Sequence, residues 1–258
     1  CEVPNDPTIF QCSPAQVFLL TGATDADGNL DNCQVSVGTL NGGNWCYTPT
    51  SSQTVVVTMI CVDECGAECQ SQFTVEFVIN DGPSMAFGPD TSIFQCATDQ
   101  ICLPFTPDDP DDPRPTTITL ESGPGTLDEA NSQVCFTPTA DGTYEFVVRI
   151  EDECGEFATD TIAVTVEMNE PPVANAGPDQ SVFACAPGEQ ICWPVSCSDP
   201  DGNLTDCLFN GPGTYDGSSI CFAPAGSGTF TFTLRAEDDC GAFMVDTVTV
   251  DVTINSDP

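Results

Sequence analysis

Histidine is absent from the 258 residues, and lysine plus arginine number 3 against 40 aspartates and glutamates. The first absence removes the commonest general base and metal ligand, and with it His-dependent triads, zincin sites and haem held by histidine. The second leaves a formal charge of -37, which repels nucleic acid and anionic membrane surfaces; such a charge is carried either in salt or with bound cations. No apolar run reaches the roughly 18 residues of a membrane-spanning helix, so no membrane insertion is expected. No CxxC pair offers a zinc site. The chain opens on Cys1 without a basic and apolar leader, and reads as a processed product or a fragment of a secreted precursor.

What the chain does have is cysteine, 17 of them, a number that points to an oxidising, extracellular compartment. The odd count leaves at least one thiol free or bonded outside the chain. Many recur in three phrases. Thr8-Ile-Phe-Gln-Cys12 returns as Ser92-Ile-Phe-Gln-Cys96 and Ser181-Val-Phe-Ala-Cys185. Trp45-Cys46-Tyr-Thr-Pro49 returns as Val134-Cys135-Phe-Thr-Pro138 and Ile220-Cys221-Phe-Ala-Pro224. Val62-Asp-Glu-Cys65-Gly66 returns as Glu151-Asp-Glu-Cys154-Gly155 and Glu237-Asp-Asp-Cys240-Gly241. The spacings, 84 to 89 residues, suit one small sandwich domain per repeat.

Period-two alternation predicts long hairpins at 54–62 with 73–79, at 143–150 with 159–167 and at 229–236 with 246–254. No stretch shows helical spacing, and 21 glycines with 22 prolines punctuate the chain. The expected organisation is all-β, in three domains at 1–80, 81–169 and 170–258. The first has a truncated opening strand and therefore a sheet edge that is either simply short or completed by a neighbour.

The run Asn169-Glu-Pro-Pro-Val-Ala-Asn-Ala-Gly-Pro-Asp-Gln-Ser-Val182, with Ser198-Asp-Pro-Asp-Gly202 and the strands 230–238 and 246–252, resembles the bacterial polycystic-kidney-disease type of immunoglobulin-like repeat. Cys33 after Asp31-Asn32, with Val62-Asp-Glu-Cys-Gly-Ala-Glu-Cys69, is similar to the hyalin-type repeat, and the acidic linkers look like cadherin-type junctions. The resemblance implies three tandem immunoglobulin-like β-sandwich domains with Greek-key connections, in the role of spacer, adhesin stalk or surface-layer module. Repeat three lacks the family's aromatic-Asp-Phe-Gly-Asp-Gly segment, reading Cys207-Leu-Phe-Asn-Gly-Pro-Gly213 instead.

In such a sandwich Cys102 pairs with Cys135 and Cys192 with Cys221, while Phe18 takes the equivalent cysteine place in repeat one and sends Cys46 elsewhere. Cys61 and Cys69 lie symmetrically about a turn and are expected to face each other across the hairpin; Cys197 and Cys207 staple a loop. Two schemes are open for the rest. Either Cys12, Cys96 and Cys185 pair within their own repeats with Cys65, Cys154 and Cys240, or pairing shifts by one repeat. The shifted scheme joins Cys12 to Cys154 and Cys96 to Cys240, and leaves Cys65 and Cys185 for neighbouring copies.

Acidic groups gather at each domain entry: Asp25, Asp27, Asn29, Asp31 and Asp63 in repeat one; Asn80, Asp81, Asp109, Asp111 and Asp152 in repeat two; Asn169, Glu170, Asp199, Asp201 and Asp238 in repeat three. They are either solvated turns or oxygen ligands for Ca2+, which takes six to eight hard oxygens. The Asp25 to Asp31 alternation is not a helix-loop-helix calcium loop, because its twelfth position is Ser36. No cofactor is required. Recurrence of the acids in every repeat, without a cleft, argues against glycoside hydrolysis and against an enzyme. Asn203-Leu-Thr205 is an N-glycosylation sequon on an expected loop, and Trp45 and Trp193 read as core. The expected function is a non-enzymatic extracellular protomer that assembles with copies of itself, head to tail, into a filament or surface fibre. The alternative is an adhesin or stalk module with a glycan or protein ligand, for which the loop 106–115 is the candidate.

Overall fold

The computed structural model describes residues 1–111 and 117–255. Among them no α-helix occurs, and one 3-10 turn lies at Glu129–Asn131. The first repeat carries β1 (Thr8–Gln11), β2 (Val17–Leu20), β3 (Leu30–Val35), β4 (Thr39–Asn41), β5 (Asn44–Tyr47), β6 (Gln53–Asp63) and β7 (Glu68–Ile79). The second carries β8 (Ser84–Phe87), β9 (Thr91–Gln95), β10 (Ile101–Asp108), β11 (Thr117–Ser122), β12 (Thr126–Asp128), β13 (Gln133–Phe136), β14 (Gly142–Glu151) and β15 (Phe157–Met168). The third carries β16 (Val173–Asn175), β17 (Gln180–Ala184), β18 (Ile191–Pro194), β19 (Ser196–Ser198), β20 (Leu204–Asn210), β21 (Thr214–Tyr215), β22 (Ser219–Phe222), β23 (Gly228–Asp238) and β24 (Phe243–Ile254).

Close packing divides the chain into two units: residues 1–90, 101–136 and 145–163, and residues 91–100, 137–144 and 164–258. The first unit holds sheets of order β1-β7-β6-β3, β2-β5-β4 and β12-β13-β10-β8, and the pairing of β11 with β14. The second holds sheets of order β17-β24-β23-β20, β18-β22-β21 and β16-β19, and the parallel pairing of β9 with residues 164–168 of β15. In the first repeat only the β4–β5 and β6–β7 connections join neighbours in one sheet; every other connection crosses to the opposite sheet. That crossing is the immunoglobulin-like, Greek-key arrangement.

Alternation builds the cores. Along β6 the side chains of Val55, Val57, Met59 and Cys61 are buried, and along β7 those of Phe73, Val75 and Phe77. Val55, Val57, Phe73, Val75 and Phe77 close on Trp45, which is 0% exposed and donates its indole N–H to the Val37 carbonyl at 2.7 Å. In repeat three the tryptophan comes from the facing strand: Trp193 stands opposite Ile220, as Leu19 stands opposite Trp45, and packs against Phe222 and Phe232 while donating to the Ala176 carbonyl at 2.9 Å. Both indoles are thus core groups with their one polar atom satisfied.

The opening edge of repeat one is shorter than those of the other two repeats. β8 pairs with β10 over four rungs and β16 with β19 over three. At the corresponding place in repeat one, Glu2 and Gly22 exchange backbone hydrogen bonds of 2.6 and 2.9 Å. A single rung, with a disulfide from Cys1, closes what three or four rungs close elsewhere.

Candidate functional site

Each long hairpin turns on an aspartate whose carboxylate is taken up by the turn itself. Asp63 Oδ1 accepts the Cys65 and Ala67 N–H groups at 2.8 and 2.7 Å, and Asp152 Oδ1 accepts those of Cys154 and Glu156, both at 2.9 Å. Asp238 Oδ1 accepts the Ala242 N–H at 2.8 Å. The glycine after each tip cysteine, Gly66, Gly155 and Gly241, has φ of 83°, 84° and 81°, a left-handed backbone that disfavours a β-carbon. The phrase Asp-X-Cys-Gly therefore presents its cysteine on a preformed loop.

Two of these turns receive the preceding repeat. Asn80 Nδ2 donates to Asp152 Oδ2 at 2.8 Å, and Asn169 Nδ2 to Asp238 Oδ2 at 2.9 Å. These carboxylates are only 8% and 3% exposed, so the amide meets a charge that water hardly reaches. The asparagines are held by their own N–H groups on the Gln11 and Gln95 carbonyls, each at 2.9 Å. The next residues along, Cys12 and Cys96, bond to the turn cysteines Cys154 and Cys240 with Cα atoms 5.3 and 5.2 Å apart. Each joint is thus fastened twice, by a disulfide and by an amide–carboxylate bond.

The structure brings together Cys102 with Cys135 and Cys192 with Cys221, each pair directly opposite in an antiparallel register, and Cys197 with Cys207. The expected pairing of Cys61 with Cys69 is corrected. They are opposite one another, but Cys61 also stands opposite Cys33 with Cα atoms 4.0 Å apart, and it bonds there, while Cys69 bonds Cys1. A cysteine with two opposite neighbours can serve only one, and this choice oxidises all four. Cys46 finds no partner: it faces Phe18, stays a buried thiol and leaves Cys65 and Cys185 as the exposed free ones.

The acidic residues converge as three clusters. In repeat three Glu170 N–H donates to Asp201 Oδ2 at 2.6 Å, and Asn203 Nδ2 donates to Asn169 Oδ1 and Asp239 Oδ1, both at 2.8 Å. Asp199 Oδ1 accepts the Asp201 and Gly202 N–H groups. The amide nitrogen of the Asn203 sequon is the atom that makes these two bonds to Asn169 and Asp239. In repeat two Asp81 N–H donates to Asp111, beside Asp109 and Asp152. In repeat one Asp27 N–H closes a short turn on Asp25 at 2.9 Å, and Asp25 and Asp63 line one depression of about 240 Å³.

Asp199 Oδ2 and Asn203 Oδ1 are buried and accept no hydrogen bond. Crowded hard oxygens without donors fit Ca2+. In repeat one the Asn29 side-chain amide, oriented to satisfy its surroundings, donates to the two Asp25 carboxylate oxygens at 2.9 and 3.3 Å. Burial, the hydrogen bond that its protonated form donates to the Asp111 side chain, and the charges of Asp111 and Asp152 hold the Asp109 carboxyl above its ordinary pKa. Arg149 and Arg235 are engaged elsewhere, paired with Glu151 and Glu237 and stacked on Phe157 and Phe243. Residues 112–116 of the loop 106–115 lie outside the described residues.

No family model matches the chain, and no curated protein matches it. Among solved structures, the protocadherin gamma-B4 extracellular domain is 16% identical, over 98% of this chain and 48% of that one, with a TM-score of 0.57. Mouse cadherin-23 EC22-24 is 16% identical over 97% of this chain and 96% of that one, with a TM-score of 0.54. The human desmocollin-1 ectodomain is 13% identical, with a TM-score of 0.48. The chain spans 60% of the desmocollin and 48% of the protocadherin chain. At these identities the likeness is one of fold, a tandem of cadherin-like β-sandwiches.

Proposed function

We propose that this chain is an extracellular structural or adhesive protein of three modules, 1–80, 81–169 and 170–258, that catalyses nothing and assembles with copies of itself head to tail into a fibre. The observation that carries the reading is the double fastening between successive repeats. A disulfide and an amide–carboxylate bond at each joint hold successive sandwiches against being pulled apart, which a tensile or spacing role requires and a soluble catalyst does not. Seven disulfides in all suit an oxidising exterior.

Calcium belongs to the same reading. Asp199, Asp201, Asn203 and Asp239 would hold it in repeat three, and Asp25, Asn29 and Asp63 in repeat one, with Asp81, Asp109, Asp111 and Asp152 in repeat two. When bound, the ion neutralises carboxylates that otherwise repel and stiffens the segments that hold it. Electron microscopy of native, unreduced material with and without a calcium chelator tests both parts. Filaments are expected, losing order on chelation; isolated rods in both conditions would overturn the assembly reading and leave a stalk or ligand-binding module.

A further inference from the structure

The joint that appears complete twice also appears as two separate halves. On one side stands the hairpin turn of repeat one. Its Asp63 is capped as Asp152 is, Glu64 N–H donates to the Asn29 carbonyl at 3.0 Å as Asp239 N–H does to that of Asn203 at 3.1 Å, and Gly66 N–H closes on the Asp63 carbonyl at 3.1 Å. The Asn29 side-chain amide lies 3.7 Å from Cys65 Sγ, as the Asn203 amide lies 4.0 Å from Cys240 Sγ. The turn is built to the pattern of the occupied ones, yet among the described residues no asparagine reaches Asp63 Oδ2, and Cys65 is a free, exposed thiol.

On the other side stands the end of repeat three. Asn255 N–H donates to the Ala184 carbonyl at 2.9 Å, the bond that Asn80 makes to Gln11 and Asn169 to Gln95. Cys185 follows Ala184 as Cys12 follows Gln11, and it is likewise free and exposed. The Asn255 side chain is exposed and has no carboxylate partner among the described residues. This half departs from the other two in one respect: Ala184 replaces the glutamine, and Glu189 accepts the Cys185 N–H at 2.8 Å.

We propose that the two halves are complementary, so that Cys185 and Asn255 of one copy close the joint with Cys65 and Asp63 of a second copy. This rests on the head-to-tail reading above and names its bond. The third free thiol, Cys46, is 3% exposed and takes no part. Closure needs a two-electron oxidant, and a small-molecule disulfide supplies it. The Cys65 thiolate attacks that disulfide, forms a mixed disulfide and releases one small thiol. The Cys185 thiolate of the other copy then attacks the Cys65 sulfur, forms the Cys185–Cys65 bond and releases the second small thiol. Two protein thiols are oxidised, one disulfide is reduced to two thiols, and their protons leave with these.

The experiment uses the 258-residue chain with its seven disulfides intact, and two exposed isosteric variants, C65S and C185S. Each is incubated with oxidised glutathione and followed by non-reducing electrophoresis and intact mass. The unaltered chain is expected to give a ladder of covalent multimers. An equimolar mixture of C65S and C185S is expected to stop at a dimer, with one peptide-mapped bond from Cys185 to Cys65. N255A in the C65S partner lowers the dimer yield in a glutathione redox buffer about tenfold, the fold-change of one hydrogen bond to a charged group. Symmetric dimers forming as readily from C65S or C185S alone would overturn the proposal, as would a monomer with an internal Cys65–Cys185 bond. Filaments that persist in both variants would overturn this joint and keep the assembly reading. Monomers from every sample, without filaments by microscopy, would overturn both.

Discussion

Repeats one and three bury the same kind of core but are stapled in different places. In repeat three the strands β18 and β22 are tied by Cys192–Cys221; in repeat one the matching rung is Phe18 opposite the thiol of Cys46. Repeat one instead places Cys33–Cys61 and Cys1–Cys69 across the opposite sheet. The disulfides can move because they do not make the fold. The tryptophan and its valine and phenylalanine neighbours do that, and a disulfide chiefly restricts the unfolded chain.

If the cores are equivalent, Trp45→Ala and Trp193→Ala should each cost about 3–5 kcal/mol, the range for removing a large buried side chain. Denaturant titration read by near-UV dichroism checks this; a cost below about 1 kcal/mol at either position would break the equivalence. The staples carry the next effect. C192S/C221S should cost about 3.5 kcal/mol for the loop of 29 residues that it opens. Phe18→Cys should create the missing rung in repeat one, raise the melting temperature and reduce the titratable thiols from three to two. An unchanged thiol count would show that the two rungs differ in geometry.

Calcium sharpens the comparison further, because repeat three gathers linker and loop oxygens whereas repeat one offers loop and turn oxygens alone. Calcium at a hundredfold excess over its dissociation constant should stabilise by about 2.7 kcal/mol. Calorimetry with D199N/D201N should show most of that gain lost, and loss of none of it would remove repeat three as the main site. The smallest effect is at Asp109. Its raised pKa means that the folded state favours the protonated carboxyl, so this group's contribution to stability is fully present below the ordinary carboxylate pKa and is lost as pH rises through the raised value. Asp109→Asn should therefore stabilise at neutral pH by a few tenths of a kcal/mol, since solvent screens most of the repulsion. At pH 3 the difference should vanish. Asp128, Asp179 and Asp216 have the opposite sign: side-chain amides hold the first carboxyl below its ordinary pKa, and backbone N–H groups the other two. Their stabilisation is lost as pH falls through those lowered values.

Much of the architecture was legible because it rests on local periodicity. The three hairpins occur within a few residues of the expected spans, as β6–β7, β14–β15 and β23–β24. Burial of Trp45 and Trp193 follows from the same alternation. The choice of Cys33 and Cys1 as partners for Cys61 and Cys69 was not legible, since spacing along a hairpin shows who stands opposite but not which of two opposite neighbours bonds. The inward turn of Asn203 was equally hidden: a sequon reads the same whether its amide meets solvent or Asn169.

By itself the sequence determined the all-β class, the three-fold repetition, the acid-rich turns and the absence of imidazole chemistry, because composition and period-two alternation act residue by residue. The tertiary structure decided how the cysteines are shared, which asparagine meets which aspartate, and which halves of that pattern stand open. Those are questions of distance between segments up to 144 residues apart in the chain, and no local rule carries across such a separation.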